Sequence, residues 1–482
     1  MGFIQLSIQS ISHASLCPVQ RLLQQVFLVP LILTSTASAY GQTVDLAMRR
    51  QIDQAIQRCL QADGTPSASV AIVMDDHLAY ANAFGEAVLT TRLPASTATR
   101  YQLASISKTF TAQAVLLLVA DGKLSLNDPV SRWFPDLTGA SQITVRELLN
   151  HTSGYPDHYP ESYPAGPKGA AASPDRIINE WGHHQLIFPP GTQFHYSNLE
   201  YEIAGRIVEK VSGEPLFQFM QEHIFGPLQM SSTIDLDTIP NGSTALATGY
   251  VQNALAPLQP APYEGPGWSF GSGQVVTTAE DVARWDAAFL QHRVLPEREA
   301  AEEVTMARLA NGGTYPSALG LFVSREDAPL RYYHTGQGLG FEAINLIYPE
   351  AHMAFVVLTN TNIKATYLKI ANQLIYLLVP PNKNEIFARK VFAGLRHGQP
   401  DRSVFSEDLN KYMSDAMLAE YRSSLGSLGP VQSFTVASAH VTDGLETRDY
   451  NITVGGHALK LHLLLLTDGR LEDAAITDAS TD

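Results

Sequence analysis

Apolar residues recur along this chain at two different spacings, and the switch between them marks the elements. Residues 44–62 carry them every third or fourth position, as one face of a helix does. Ser67-Ala68-Ser69-Val70-Ala71-Ile72-Val73-Met74 is instead a β-branched run of the kind that fills a buried strand. Asp75-Asp76-His77 turns it back toward residues 78–84, which predicts a hairpin at the start of a sheet. Helical spacing then dominates, over 107–121, 144–150, 201–212, 215–225 and 278–290. Strand signals return at 343–348 and 353–359 and are followed by a helix over 367–378. Strands at both ends of a long helical middle predict a sheet assembled from the two ends of one domain, 44–378.

The pattern breaks at Val379-Pro380-Pro381-Asn382-Lys383-Asn384, so a linker is expected over 379–400. Beyond it, 415–425 reads as a helix. Leu459, Leu461, Leu463 and Leu465 alternate with Lys460, His462 and Leu464 as a half-buried strand does. The tail, 401–482, is therefore expected to be a small α+β accessory domain with no chemical motif and no identified partner.

Composition narrows the function. The 482 residues hold 32 Lys+Arg against 47 Asp+Glu, a net charge of −15, which argues against a nucleic-acid partner. Arg21, the apolar run from Val26 to Leu33 and Ala37-Ser38-Ala39 together read as a secretory leader over 1–39, cut near Ala39. The run falls short of the roughly 20 apolar residues a membrane span needs. The reading is a secreted or periplasmic protein without integral membrane association. Cys17 lies in the leader, so Cys59 is left without an intramolecular partner and is expected to pack in a core. The Asn-x-Ser/Thr sequons at Asn150, Asn241 and Asn451 carry no function here, and Asn150 lies in a segment expected to be packed.

Chemistry gathers at three places. Only Lys108 among the lysines has a serine three residues before it, in Ser105-Ile106-Ser107-Lys108 at the head of an apolar helix. Positions i and i+3 share a helix face, so the amine can take the Ser105 proton if burial lowers its pKa. In Tyr196-Ser197-Asn198 a phenol and an amide point one way if the chain is extended. Tyr80-Ala81-Asn82 repeats the pattern in a predicted strand and is read as packing. His334-Thr335-Gly336 occurs once, before the glycine-rich Gln337-Gly338-Leu339-Gly340, where a missing side chain would let a substrate approach the backbone. A rival serine stands in Gly267-Trp268-Ser269-Phe270-Gly271, which has the G-x-S-x-G form but follows a proline-rich stretch rather than a strand. No histidine is followed by glutamate, so an HExxH metal site is absent, and no cofactor is called for.

In that order, Ser105-x-x-Lys108, Tyr196-x-Asn198 and His334-Thr335-Gly336 resemble the three motifs of the class C β-lactamase and penicillin-binding-protein superfamily of serine hydrolases. The segment from Ile143 through Asn150-His151-Thr152-Ser153-Gly154, and Gly271-Ser272-Gly273 leading to Thr277-Thr278-Ala279-Glu280-Asp281, are similar to family segments as well. The resemblance covers about residues 44–378. It implies an α/β (α+β) fold with an all-helical subdomain against a mixed, mainly antiparallel sheet of five-stranded type, flanked by helices.

The resemblance also implies roles. Ser105 would be the acylated nucleophile, Lys108 its activating amine and Tyr196 the proton shuttle. Asn198 would hold the substrate amide, and the backbone N–H groups of Ser105 and Gln337 would form the oxyanion hole. His334, Thr335 and Gly336 would bind substrate. Histidine stands where class C β-lactamases carry lysine and matches the form found in some DD-carboxypeptidases and esterases of this fold. The substrate is then a small-molecule ester, a D-amino-acid peptide or a β-lactam, with a β-lactamase or a non-catalytic peptidoglycan- or β-lactam-binding protein as the alternatives. If protonated His334 holds a carboxylate, kcat/KM for anionic substrates should fall as pH rises through about 6.5.

Overall fold

One antiparallel sheet separates two hydrophobic cores, and period-two alternation within its strands feeds both. The computed structural model describes residues 44–158, 170–240, 242–244, 246–324, 329–442 and 445–479. The expected leader, Cys17 and the sequon residue Asn241 lie outside the described residues. Strand β1, Ser67–Met74, turns into β2, His77–Val88, through Asp75 and Asp76, whose φ values of 49° and 62° make the left-handed pair that a tight hairpin needs. A short β3, Leu93–Pro94, follows at one edge. The other strands come from far along the chain: β4, Phe322–Ser324; β5, Arg331–Gly338; β6, Phe341–Tyr348; and β7, Met353–Thr359.

The order across the sheet is β4-β5-β6-β7-β1-β2-β3, with antiparallel neighbours throughout. Five of these strands are long, as the resemblance implied. The two ends of the domain meet where β1 pairs with β7, Val70 opposite Val357, as the distribution of strand signals predicted. Helix α1, Leu46–Asp63, runs from an Asp45 cap to Gly64 at φ 70° and buries Ile52, Ile56 and Leu60 against one face. Val70 and Ile72 of β1 meet it there, while Ala71 and Val73 point to the opposite core. That second core holds helix α2, Ser107–Ala120, together with α3, Asn198–Ser212, and α4, Ala279–Leu290. Helix α5, Thr366–Leu378, returns to the α1 side. Asn150 is packed as expected, at 5% exposure.

Two readings of the sequence need changing. Strand β5 carries the third motif yet gave no strand signal, because glycines and polar residues dilute its alternation. Residues 379–400 are not a linker: Pro380-Pro381 do stop α5, but Asn382 accepts the Glu385 N–H at 2.8 Å and caps a new helix, α6, Lys383–Arg396. Its Ala388, Val391, Phe392 and Leu395 are buried in the tail's own apolar cluster.

That cluster also takes helix α7, Asp415–Leu425, and an antiparallel meander of β8, Val431–Thr442; β9, Leu445–Val454; β10, His457–Leu465; and β11, Leu471–Asp478. Leu459, Leu461, Leu463 and Leu465 are all buried, as their alternation predicted. The tail leans on α5 through Tyr376, whose ring lies 4.5 Å from the Arg389 guanidinium. Because this core is separate from both faces of the main sheet, Leu461→Ala should cost the tail about 2–5 kcal/mol while leaving chemistry at Ser105 intact. Denaturant unfolding measured beside turnover checks this, and an equal loss of turnover would mean the two parts fold as one.

Candidate active site

The nucleophile candidate sits on a turn held between two strands. Ser105 lies in a 3₁₀ turn, Ala104–Ile106, just before α2 rather than within it, and Ala104 before it has φ 46°, an uncommon conformation for a residue with a side chain. The Leu103 N–H donates to the Val275 carbonyl at 2.9 Å, and the Val275 N–H donates to Ser107 Oγ at 3.0 Å, which stitches the turn to a neighbouring strand. The second strand is β5. A Cβ on Gly336 would stand 2.0 Å from the Leu103 carbonyl oxygen, so this glycine lets the strand press against the turn.

Lys108 is fully buried in α2, and its Nζ meets three oxygens: Asn198 Oδ1 at 2.7 Å, the Ser272 carbonyl at 3.0 Å and Ser105 Oγ at 3.1 Å. The first two can only accept. A neutral amine has two N–H bonds and one lone pair, so satisfying both acceptors turns the lone pair toward Ser105. Burial lowers the amine from 10.5 to about 7, and the nearby Asp157, Glu202 and Glu200 hold it from falling further. Burial also pushes the Glu202 carboxyl up to about 8, and this group accepts the Ser272 hydroxyl at 2.7 Å.

Ser105, Tyr196, Asn198 and Gln337 wall a cavity of about 510 Å³, shared with Asp157, Glu264 and Ser269. Tyr196 lies with its ring centroid 4.9 Å from Lys108 Nζ. Burial raises its phenol above the ordinary value, against a hydrogen bond with Ser105 that lowers it, so the phenol keeps its proton where the lysine has lost one. Asn198 begins α3. Its Nδ2 donates to Asp157 Oδ2 at 3.0 Å and its backbone N–H to Asp157 Oδ1 at 2.9 Å, so Asp157 caps the helix from another segment and at most one amide N–H remains for a ligand. No spacing rule pointed to Asp157, Glu200 or Glu202, because contacts formed only on folding define their roles.

His334 is placed otherwise than expected. It is 3% exposed and does not wall the cavity; its ring packs 5.4 Å from Phe322 and 6.3 Å from Tyr196. Its Nδ1 lies 2.6 Å from the Thr335 carbonyl, which only accepts, so the proton is on Nδ1. Burial, then Lys108, lowers it to about 3, which leaves the imidazole neutral at ordinary pH. A carboxylate clamp by protonated His334, and the expected titration near 6.5, are both corrected. Thr335 and Gly336 are likewise off the wall, which β5 reaches only at Gln337 and Gly338.

The rival Ser269 stands on the same cavity but donates to Glu264 Oε2 at 3.2 Å, and only a four-residue helix follows it. Cys59 is half-buried, with its thiol raised to about 11 by burial, so it is no nucleophile.

A model of the Beta-lactamase family matches residues 52–379. Protein flp of Staphylococcus aureus strain MW2 is 29% identical over 327 residues, 65% of this chain and 63% of its own length, so the chain spans less than two thirds of that relative. Among solved structures, the D-amino acid amidase from Ochrobactrum anthropi SV3, complexed with L-phenylalanine amide, is 27% identical with a TM-score of 0.58 over 67% of this chain and 96% of its own. The octameric penicillin-binding protein homologue from Pyrococcus abyssi, 19% identical, shares the fold with a TM-score of 0.59 over 89% of this chain and 100% of its own.

Two outcomes follow from the lysine geometry. Lys108→Arg, which cannot deprotonate, should lower acylation by about 10²–10⁴-fold. In the unmodified protein, acylation should rise with pH through about 7, the direction in which Lys108 becomes neutral. A stopped-flow pH series checks both, and a flat profile together with an active arginine variant would remove Lys108 as the base.

Proposed function

The chain belongs to the Beta-lactamase family, whose model covers residues 52–379, and on that premise we propose that it is an exported serine hydrolase cleaving a small amide or ester through an acyl-enzyme on Ser105. The observation that carries this reading is the lysine amine 3.1 Å from the Ser105 hydroxyl, with its other two positions filled by acceptors.

The steps follow from what each group can hold. Neutral Lys108 takes the Ser105 proton as Oγ attacks the carbonyl carbon. The backbone N–H groups of Ser105 and Gln337 stabilise the oxyanion, a contribution of about a hundredfold or more per donor. Tyr196, protonated, gives its proton to the leaving nitrogen or oxygen and recovers one from the Lys108 ammonium. Water then enters where the leaving group was, and the same groups in reverse order release the acid.

The site also bears on the substrate. Asp157 and Glu264 line the cavity, His334 is neutral, and among the described residues no lysine or arginine is on the wall. A substrate carboxylate finds no cation there. Neutral esters and D-amino-acid amides or peptides therefore suit the site better than carboxylate-bearing β-lactams, and the D-amino acid amidase likeness supports the amide arm of this reading. No helix among the described residues is long and apolar enough to cross a membrane. Export rests on the leader-like residues 1–39. The tail is an accessory domain beside the catalytic one.

A substrate panel tests the reading. The protein from residue 40 onward should turn over p-nitrophenyl butyrate or a D-amino-acid amide catalytically, faster than nitrocefin, and mass spectrometry should find the acyl group on Ser105. Ser105→Ala should abolish turnover, and Ser269→Ala should spare most of it. A single stoichiometric burst would mark a binder, and nitrocefin turnover matching the best ester would overturn the substrate ranking. Neutral and anionic substrates should share one pH profile, rising through about 7 without a limb near 6.5, because His334 does not titrate there.

A further inference from the structure

Tyr196 is the one proposed catalytic group whose own helix or strand does not fix it, since it lies in the loop before α3. What fixes it is His151. The His195 N–H donates to the His151 carbonyl at 3.0 Å and the Ser197 N–H donates to His151 Nδ1 at 3.4 Å, so one residue holds the amides on both flanks of Tyr196. The imidazole also backs the phenol, with ring centroids 4.5 Å apart and planes 35° apart. His151 does this from φ 63°, a conformation in which histidine is more at home than most residues. It is 2% exposed and does not wall the cavity.

The imidazole is in turn locked by Glu200, fully buried on α3. Glu200 Oε2 lies 2.5 Å from His151 Nδ1, and Oε1 accepts the Ser153 hydroxyl at 2.5 Å. We propose that His151 and Glu200 form a positioning unit for Tyr196, in which the proton between them is carried by the carboxyl of Glu200. The inference rests on the serine hydrolase reading of the site. The backbone N–H of Ser197 can only donate, which an unprotonated Nδ1 tolerates and a protonated one does not; its single lone pair then goes chiefly to the Glu200 acid at 2.5 Å, with the Ser197 N–H as the longer, weaker contact at 3.4 Å. Burial favours the same arrangement, raising Glu200 well above the usual carboxylate range and lowering His151 well below that of imidazole.

The neutral pair has a consequence for the base. The titratable groups coupled to it are Lys108, Asp157, Tyr155, Tyr201, His195 and His334, with Tyr196 stacked on the imidazole. A carboxylate at Glu200 would favour the Lys108 ammonium and so raise the amine. An un-ionised acid orients the histidine without that cost.

The test uses the full chain and two substrates, an amide and a p-nitrophenyl ester of the same acyl group. The amide needs a proton from Tyr196 on its leaving nitrogen, whereas p-nitrophenolate leaves without one. Glu200→Ala and His151→Asn, the latter compatible with the left-handed backbone, should each lower the acylation rate, read in single-turnover experiments, by about 10–100-fold for the amide and much less for the ester, with substrate binding little changed. Glu200→Gln should rescue most of the Glu200→Ala loss with the pH midpoint unmoved, since its amide N–H replaces the acid proton and its carbonyl accepts from Ser153. Equal losses on both substrates would reduce the unit to a folding role. Failure of the glutamine rescue, in a variant whose circular dichroism matches the parent, would mean that an ionised Glu200 is required. Either result overturns the proposal. Turnover surviving in Ser105→Ala would instead bring down the reading of the site itself.

Discussion

A lysine amine buried at the foot of an apolar helix is the constraint that organises this molecule. Helix α2 is enclosed on nearly every side, so water cannot solvate Lys108, and the protein must supply every partner. It draws them from the turn just before α2 and from two distant segments, the start of α3 and the Gly271-Ser272-Gly273 stretch. Of the acids that act on the amine, Glu200 and Glu202 are buried while Asp157 stands on the cavity wall. With Glu200 and Glu202 pushed toward their neutral forms, the charge available to hold an ammonium is limited, and the lysine stays near the midpoint of its titration at neutral pH.

The sheet serves that centre by contact rather than by contributing the charged groups. Strand β5 brings Gln337 to the cavity wall, and it reaches that place only because Gly336 lets its backbone touch the turn that bears the nucleophile. His334, one turn of the pleat away from the wall, faces the packed side against Phe322 and Tyr196. Its neutrality follows from the same burial that tunes the lysine, with Lys108 lowering it further.

The tail shows how domain limits can be misread. Prolines stop α5, but a stop in one helix is not the start of a disordered linker, and Asn382 caps a new helix at once. The likeness of fold to the Pyrococcus abyssi protein, over 89% of this chain, extends past the residues that the family model matches. The tail's core is nonetheless its own, and it meets α5 through contacts that include Tyr376 against Arg389.

Local sequence was enough wherever the controlling interaction is local. The hairpin at Asp75-Asp76, the alternation of Leu459 to Leu465, the helices over α1, α2, α4 and α5, and the Ser105–Lys108 spacing all depend on neighbours within a few residues, and all were legible. The three motifs in order placed Ser105, Lys108, Tyr196, Asn198 and Gln337, which the fold does bring together. What the sequence withheld depends on residues 40 to 250 positions apart. Which side of β5 faces the cavity, whether Gly336 serves a substrate or the Leu103 carbonyl, and what supports Tyr196 are set by register and packing. Spacing along the chain carries no record of them. Protonation was equally hidden, since the charge state of Lys108, Glu200 or His334 is decided by how much water reaches it, and that is a property of the tertiary fold alone.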